Sequence, residues 1–337
     1  MPLTSALPDS GFYDEARHAR RHERVARTIP RAEWDVHYET IAAIEALKRG
    51  RNAIVLAHNY QRAEIFHGVA DFQGDSLALA RHAAWSDASV VVMCGVHFMA
   101  ETAKLLAPDK TVLLPDLGAG CSLAESIGAE DVRALRARHP DAPAVCYVNT
   151  SAAVKAECDV CCTSANAIEV VESFGAPEVI FVPDQYLAMH VAAHTSVRII
   201  GWPGRCEVHE QFTAGDIREY RGMTGAFVLA HPECPREVQL AADYVGSTSG
   251  MIAALERRRP QRAVLITECS MSDNVCGAFP ETEFVRPCNL CPHMQRITLE
   301  GIRASLEKLA PQIHVPADVA DAARRATWRM LNLECAR

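Results

Sequence analysis

The feature that most constrains the fold of this chain is a threefold internal repeat of domain scale. Each copy begins with an apolar segment that ends in polar residues, at 54–60, 144–149 and 227–233. Each copy continues with an aspartate and, five positions later, a hydroxyl residue: Asp71 with Ser76, Asp159 with Ser164, and Asp243 with Thr248. Two further apolar segments complete each copy, at 90–93 and 112–114, at 179–182 and 197–200, and at 263–266 and 284–285. Each copy therefore has about 85 residues, near the lower size limit for independent folding.

Helical periodicity between these segments, as in Ile41, Ile44 and Leu47, indicates βαβ units with parallel sheets. We predict three pseudo-symmetric three-layer αβα modules, each with a short parallel sheet, around a central site. A single long doubly wound sheet is the alternative. The predicted boundaries are 1–35 for an N-terminal tail, 36–128, 129–213 and 214–301 for the three modules, and 302–337 for C-terminal helices that pack back on the modules.

Composition excludes several classes of protein. No run of 18 apolar residues exists, which argues against a transmembrane helix, and the net charge of −8 argues against nucleic acid as the main partner. The N-terminus lacks the apolar core of a secretory signal, which favours the cytoplasm and reduced thiols. His18 and His22, among five arginines without an apolar period, indicate a solvated tail or frayed helix.

The 13 cysteines are too small a fraction of 337 residues for a small disulfide scaffold, and an odd number cannot pair completely. Three of them follow the repeat. Cys121, Cys206 and Cys291 come shortly after the last strand of each copy, 85 residues apart. If three modules point their strand ends at one axis, three thiolates converge there. Such a set predicts a central iron–sulfur site with one iron open to substrate as a Lewis acid. A three-thiolate zinc site in a hydrolase or aldolase is the competing interpretation.

The polar ends of the segments provide candidate substrate and acid–base residues, because ligands of open α/β sheets bind beyond the carboxyl ends of the strands. These candidates are His58, Tyr60, Tyr147, Asn149, His231 and Glu233, with His209 close to Cys206. Three segments around the repeated hydroxyls Ser76, Ser164 and Thr248 resemble helix N-caps: Gly74-Asp75-Ser76, Thr163-Ser164-Ala165-Asn166 and Gly246-Ser247-Thr248. Helix N-termini bind phosphate or carboxylate. An anionic small molecule is therefore expected. A non-catalytic phosphometabolite-binding protein is the third hypothesis.

Ten motifs, in order from about residue 36 to the C-terminus, resemble those of the quinolinate synthase family. They are AHNYQ (57–61), VADFQGDSLALA (69–80), GVHFMAETAK (95–104), YVNTSAAVKAECDV (147–160), TSANA (163–167), VPDQYLA (182–188), PGRCEVHEQFT (203–213), HPECP (231–235), ADYVGSTSGM (242–251) and CPHMQRITLE (291–300). Some of these motifs are weak individually, but together they are highly specific.

The resemblance implies a transferase of de novo NAD biosynthesis. The family condenses iminoaspartate with dihydroxyacetone phosphate to quinolinate, releasing phosphate and two waters, and it uses a [4Fe-4S] cluster. It implies the cluster ligands Cys121, Cys206 and Cys291. It implies catalytic roles for Glu233, Tyr60, His231 and Tyr147, and substrate binding by His58, Ser76, Tyr147, Asn149, Ser164, His209, His231, Glu233 and Thr248. An L-aspartate-oxidising enzyme is the implied functional partner.

The remaining cysteines are interpreted mainly as packed thiols. The run Cys158, Cys161 and Cys162 has the C-x-x-C spacing of a zinc or redox motif, but packing is favoured. Cys94, Cys146, Cys234, Cys269, Cys276 and Cys335 have no partner at metal-ligand spacing. Cys288 precedes Cys291 as C-x-x-C, and the 85-residue spacing selects Cys291 as the ligand. The family's Gly-Thr-Glu is replaced by Ile266-Thr267-Glu268, without an expected functional consequence.

Overall fold

A computed structural model describes residues 13–332. This part of the chain divides into two compact units. Unit 1 comprises residues 13–119, 269–282 and 290–313, and unit 2 comprises 120–268, 283–289 and 314–332. Cys335 and residues 1–12 of the predicted N-terminal tail lie outside the described residues.

The described residues form twelve short strands and seventeen α-helices. The strands are β1 (Ala53–His58), β2 (Phe72–Gly74), β3 (Val90–Cys94), β4 (Thr111–Leu113), β5 (Ala144–Tyr147), β6 (Val160–Cys162), β7 (Glu178–Val182), β8 (Arg198–Gly201), β9 (Phe227–Ala230), β10 (Tyr244–Val245), β11 (Arg262–Ile266) and β12 (Glu283–Val285). The helices are α1 (Glu15–Glu23), α2 (Arg31–Val36), α3 (Tyr38–Arg51), α4 (Ala63–Phe66), α5 (Ser76–Trp85), α6 (His97–Leu106), α7 (Ser122–Glu125), α8 (Ala129–Arg138), α9 (Ala152–Ala156), α10 (Ala167–Glu172), α11 (Gln185–Ala192), α12 (Ala214–Thr224), α13 (Arg236–Ala241), α14 (Thr248–Arg258), α15 (Ser270–Val275), α16 (Leu299–Lys308) and α17 (Ala317–Asn332). Short 3₁₀ turns occur at His209–Gln211, Cys276–Ala278 and Met294–Arg296.

The strands form three separate parallel sheets with one topology. Their orders are β2-β1-β3-β4 in unit 1, and β6-β5-β7-β8 and β10-β9-β11-β12 in unit 2. The predicted fold class, three repeated α/β modules with parallel sheets, is confirmed, and the alternative of one long sheet is wrong. The module boundaries stay a prediction.

The two central strands of each sheet are apolar along almost their whole length, as in VVVMC of β3 and EVIFV of β7. Continuous apolar sequence is typical of parallel strands that are covered by helices on both faces. In each sheet the chain reverses its winding direction between these two central strands. Ligands of such folds bind beyond the carboxyl ends at this switch point.

The short edge strands β2, β6 and β10 were missed by the sequence analysis, because two or three residues carry no recognisable period. The repeated aspartate explains why they form. In unit 1, the backbone N–H of Asp71 donates to the carbonyl of Val55 at 2.9 Å, and the Asp71 carboxylate accepts from the Val55 N–H at 2.8 Å. The equivalent pairs are Asp159 with Ala144 and Asp243 with Val228, both with 2.8 Å carboxylate contacts.

Each of these aspartates also pairs with a cation on the helix that precedes the first strand of its sheet, which is α3, α8 or α12. The pairs are Lys48–Asp71 at 2.7 Å, Arg136–Asp159 at 2.8 Å and Arg221–Asp243 at 2.9 Å. We call this arrangement the aspartate clasp. It fixes the register of the edge strand on the central strand, so the repeated aspartates are structural residues.

The N-terminal segment is a packed part of unit 1, and the predicted solvated tail is therefore wrong for residues 13–35. The side chain of His18 is 1% exposed and that of Trp34 is fully buried. Trp34 donates to the His18 carbonyl at 3.1 Å, and the His18 ring contacts Tyr13 at 2.6 Å and Asp35 at 3.1 Å. The sequence did not indicate this aromatic cluster, because its members are far apart in a segment that is rich in arginine.

The two C-terminal helices have different packing partners. Helix α16 contacts α3 and β3 in unit 1, and α17 contacts α9 and β6 in unit 2. Among the described residues, no helix combines the length and apolarity needed to cross a bilayer.

Candidate functional site

The most strongly connected polar group in unit 2 surrounds Glu233, in the loop that follows β9. The Glu233 N–H donates to Nδ1 of His231 at 3.3 Å, and the Cys234 N–H donates to the His231 carbonyl at 3.0 Å. Glu233 is 4% exposed and His231 is 3% exposed. The loop therefore holds a carboxylate at the carboxyl end of a central strand, where the sequence predicted it.

Two predicted site residues contact the Glu233 carboxylate directly. The Tyr147 hydroxyl, at the end of β5, donates to Oε1 at 2.6 Å. Nδ1 of His209 lies 2.8 Å from Oε2, and Nδ1 of His231 lies 3.9 Å from it. Burial alone would raise the pKa of Glu233, but His231, His209 and the hydrogen bonds hold it well below its ordinary value. These contacts favour the ionised form of Glu233.

His209 lies between Glu233 and Cys206 and contacts both. Its Nδ1 lies 3.1 Å from Sγ of Cys206, and its Nε2 lies 2.8 Å from the Thr267 hydroxyl. The ring stacks on that of His231 with centroids 4.8 Å apart. A tautomer with the proton on Nδ1 donates to Glu233 and accepts from Thr267, which satisfies both ring nitrogens.

Cys206, His209 and Glu233 could together hold a metal ion, since their ligand atoms all lie within 4.8 Å of one another. Burial, and then the charge of Glu233, raises the pKa of the Cys206 thiol well above its ordinary value. A coordinated metal reverses this effect because its charge deprotonates the thiol. The close approach of the three donor atoms, rather than the pKa of the thiol, is what fits a metal or a cluster at this place. The group contains His209 and Glu233 in place of a second or third cysteine, so it does not distinguish zinc from iron–sulfur.

The loop that carries Cys121 is tied to the loop that carries Cys206. Cys121 directly precedes α7, whose first residue is Ser122. The Ser122 hydroxyl donates to the Arg205 carbonyl at 3.4 Å and accepts from the Glu207 N–H at 3.2 Å. Ser122 thus bridges the two residues on either side of Cys206, and the Cys121 thiol is near enough to contribute to the pKa of Cys206.

The predicted residues of the first module lie in unit 1. His58 ends β1 and is 5% exposed, and the Tyr60 N–H donates to its Nδ1 at 3.2 Å. The two rings meet edge to face with centroids 4.7 Å apart. Cys291 also belongs to unit 1 and is half-buried before a 3₁₀ turn, with its carbonyl accepting from Gln295 at 3.1 Å.

Each of the three segments predicted to be a helix N-cap contains the observed cap residue, which is a neighbour of the repeated hydroxyl. Asp75 caps α5 and Ser247 caps α14, which places Ser76 and Thr248 at the first helical position. Asn166 occupies the cap position of α10, and its side chain accepts from Thr163 at 2.8 Å. Nearby polar residues, such as Asp75 before Ser76, take the cap position because their side chains also accept from the first N–H groups of a helix.

Ser164 has a specific contact within the Glu233 group, because its Oγ lies 3.3 Å from Nε2 of His231. Asn149 follows β5 and is half-buried. In unit 2 the structure therefore brings Tyr147, Ser164, His209, His231 and Glu233 together with Cys206.

Sequence reasoning missed Thr267 and Asp184. Asp184 is fully buried, caps α11 by accepting from the Leu187 N–H at 2.5 Å, and has one oxygen without a hydrogen-bond partner. Burial, followed by the charge of Glu233, raises the pKa of Asp184 well above its ordinary value. The motif VPDQYLA contains Asp184, but only its tertiary environment shows that it is an acid near Glu233.

The remaining cysteines of β5 and β6 are buried, in agreement with their interpretation as packed thiols. Cys146 and Cys161 are register partners on adjacent strands, with sulfurs 3.4 Å apart. Burial raises the pKa of both thiols well above the ordinary value. Among the described residues, none of these thiols belongs to a group of three potential metal ligands. Cys288 is exposed.

Comparison with known proteins gives one consistent result. The family model described as Quinolinate synthetase A protein matches residues 42–332. Quinolinate synthase 1 of Mesorhizobium japonicum is 63% identical over 330 residues, which cover 98% of this chain and 99% of that protein. Quinolinate synthase of Agrobacterium fabrum is 60% identical over 94% of this chain and 92% of that protein. Quinolinate synthase of Caulobacter vibrioides is 53% identical, over 95% and 88% respectively.

Proposed function

We propose that this chain, which belongs to the quinolinate synthetase A family, is a transferase that condenses iminoaspartate with dihydroxyacetone phosphate. Quinolinate, phosphate and two waters are the products, in the de novo biosynthesis of NAD. The observation that carries the proposal is the buried contact of the Glu233 carboxyl group with Tyr147 and His209, next to Cys206. An L-aspartate-oxidising enzyme would supply the iminoaspartate, and both enzymes would act in the cytoplasm.

We assign the metal site to a [4Fe-4S] cluster held by Cys121, Cys206 and Cys291. A bound cluster supplies an open iron that polarises a substrate oxygen as a Lewis acid. The link through Ser122 between the Cys121 and Cys206 loops, and the position of Cys206 beside His209 and Glu233, support two of these ligands.

Proton transfer is assigned to the residues at the strand ends. Glu233 accepts and returns protons at its carboxylate as the central acid/base, while the Tyr147 hydroxyl holds Oε1 in place. Tyr60 and His231 assist, and both are fixed by backbone-to-ring hydrogen bonds in their loops. Burial keeps bulk water away from these groups, which strengthens each electrostatic contact.

Binding of the anionic substrates is assigned to the helix N-termini at Ser76 and Thr248. Helices α5 and α14 have ten and eleven residues, and their first N–H groups and positive dipole ends suit phosphate and carboxylate. His58, Asn149, Ser164 and His209 complete the proposed substrate contacts.

The first test measures metal, sulfide and product in anaerobically purified protein. We expect about four irons and four sulfides per chain, and quinolinate formation from the two substrates. One zinc per chain without sulfide, together with no quinolinate, would refute the proposal. It would favour a hydrolase or aldolase that uses the Cys206, His209 and Glu233 group.

The second test replaces Glu233 by Gln. Since general acid–base catalysis contributes about 10²–10⁴-fold, we expect kcat to fall by at least about 100-fold with the iron content unchanged. Glu219→Gln, at an exposed position of α12, is the matched control and should keep wild-type turnover. Near-normal turnover of Glu233→Gln with an intact cluster would remove Glu233 from the central role.

A further inference from the structure

The three loops that follow the first strand of each sheet carry equivalent residues. The aspartate clasp pairs with Val55, Ala144 and Val228, which therefore occupy the same position in the three sheets. Five residues after each of them the chain places a different candidate site residue: Tyr60, Asn149 and Glu233. The same loop position therefore holds a phenol, an amide and a carboxylate in the three copies of the repeat.

In the third sheet, one buried amide holds both backbone carbonyls that flank this position. Nε2 of Gln239, on α13, donates to the carbonyls of Pro232 and Cys234, at 2.8 Å each. These are the residues immediately before and after Glu233. Gln239 is 4% exposed, and its Oε1 lies 3.2 Å from the ring of His190.

In the second sheet, a buried lysine makes the same contact. Nζ of Lys155, on α9, donates to the Val148 carbonyl at 2.8 Å and to the Thr150 carbonyl. These carbonyls flank Asn149. Lys155 and Gln239 are also equivalent in sequence, since each lies six residues after the flanked residue and four before the clasp aspartate.

In the first sheet, the donor comes from a distant segment, but the contact is the same. Nδ2 of Asn274, on α15, donates to the Asn59 carbonyl at 2.9 Å and the Gln61 carbonyl at 2.7 Å, on either side of Tyr60. The residue four before the clasp aspartate is His67 here, and its Nε2 lies 3.1 Å from the backbone carbonyl of Asn274. The position that holds Lys155 or Gln239 elsewhere thus holds the residue that places Asn274.

We propose that Asn274, Lys155 and Gln239 are positioning residues, each of which orients one active-site side chain by clamping the two carbonyls that flank it. The physical reason is that a peptide plane is fixed once its carbonyl is hydrogen-bonded, and a buried carbonyl without a donor is costly. In two of the loops the N–H of the flanked residue is also held, by His58 or His231. The backbone on both sides of Tyr60 and Glu233 is therefore fixed before substrate binds, as preorganised catalysis requires.

The inference rests on the proposed function, because only that function assigns Tyr60, Asn149 and Glu233 to the active site. It adds that three different side-chain donors make the same pair of hydrogen bonds to backbone carbonyls. This gives a distinctive expectation: the donors of the second and third sheets should be interchangeable, whereas an apolar side chain of similar size should not replace them.

The test compares Gln239→Met with Gln239→Lys in anaerobically purified, cluster-loaded protein. Methionine has a similar volume but no donor, and a displacement of about 1 Å can lower a rate about 100-fold. We expect Gln239→Met to lower kcat by about 10–100-fold with little change in KM. Gln239→Lys places in the third sheet the donor that the second sheet uses, and it should keep at least about a third of wild-type kcat. Lys155→Met and Lys155→Gln form the reciprocal pair.

Lys104→Met is the matched control. Nζ of Lys104 also bridges two carbonyls, of Pro108 and Lys110, at 2.8 Å each, in the connection before β4 that carries no candidate site residue. Loss of this clamp should leave kcat unchanged. Wild-type kcat in Gln239→Met, or an equal loss in Gln239→Met and Gln239→Lys, would overturn the proposal. If Lys155→Met does not fold, the Gln239 pair decides.

Hydrogen exchange of the loop separates this proposal from the proposed function. We expect exchange in peptides spanning 231–235 to be at least about tenfold faster in Gln239→Met, and close to wild type in Gln239→Lys and Lys104→Met. If wild-type protein makes no quinolinate, the proposed function fails while these exchange rates still test the clamp. Unchanged exchange in Gln239→Met would refute the clamp even in an active enzyme.

Discussion

His67 offers a quantitative test of the environment that supports the Tyr60 loop. Its Nε2 contacts the carbonyl of Asn274 at 3.1 Å, and burial lowers its pKa from 6.5 to about 4. Because the pKa is lower in the folded state, the stabilisation is complete above pH 6.5 and is lost as the pH falls from 6.5 towards 4. The difference of about 2.5 units, at about 1.36 kcal/mol per unit, corresponds to about 3 kcal/mol.

The experiment compares wild type with His67→Gln by urea unfolding at pH 7 and pH 5. Between these values the His67 contribution falls by about 2 kcal/mol, so wild type should lose about 2 kcal/mol more than the variant. Acid effects on the cluster and on other groups are common to both proteins and cancel in the difference. His314→Gln, at an exposed histidine, should behave as wild type. Equal losses in wild type and His67→Gln would refute the reasoning.

Three further predictions follow from the site and the repeat. Tyr147→Phe removes the hydroxyl that donates to Glu233. Since a hydrogen bond to a charged group is worth about 1.5–3 kcal/mol, kcat for quinolinate formation should fall about 10–100-fold. An unchanged kcat would contradict the role of this contact. Cys206→Ser should retain less than about a tenth of wild-type iron, whereas Cys161→Ser, at a buried thiol that contacts Cys146 and Thr327, should retain most of it. Iron and sulfide analysis of anaerobic protein checks both. Asp243→Asn should lower the free energy of unfolding by less than about 1 kcal/mol, because its ion pair is exposed and the amide oxygen still accepts the clasp hydrogen bond. A loss above about 2 kcal/mol in urea unfolding would show that the charge of Asp243 stabilises the fold more than this hydrogen bond does.

Much of the fold followed from periodicity and spacing alone. The central strands were predictable because buried parallel strands are continuously apolar, and the threefold topology followed from their repetition. The edge strands were not predictable from period, since β10 has two residues. They depend on the aspartate clasp, whose aspartates were visible in sequence but whose hydrogen bonds were not.

The candidate site was predictable as a set of residues but not as a network. Glu233, His209 and Tyr147 were identified from the strand ends and the family motifs. Their contacts also depend on residues for which the sequence predicted no role, such as Gln239 and Thr267. Local sequence patterns carry no signal for such contacts, because the partners are separated by many residues and converge only in the folded chain.

The amino-acid sequence by itself determined the three parallel sheets, because the apolar pattern of a strand is a local property. The spacing of the repeat also identified the cysteine of each copy and the candidate residues Tyr60, Asn149 and Glu233 after the first strand of each sheet. Only the tertiary structure decided which donor holds each loop. Lys155 and Gln239 are equivalent in sequence, yet the first sheet uses Asn274 from another segment for the same two carbonyls. The physical reason is that a buried carbonyl needs a donor, and any donor that reaches it with the right geometry satisfies it. The three loops therefore share one arrangement of hydrogen bonds, although different residues maintain it.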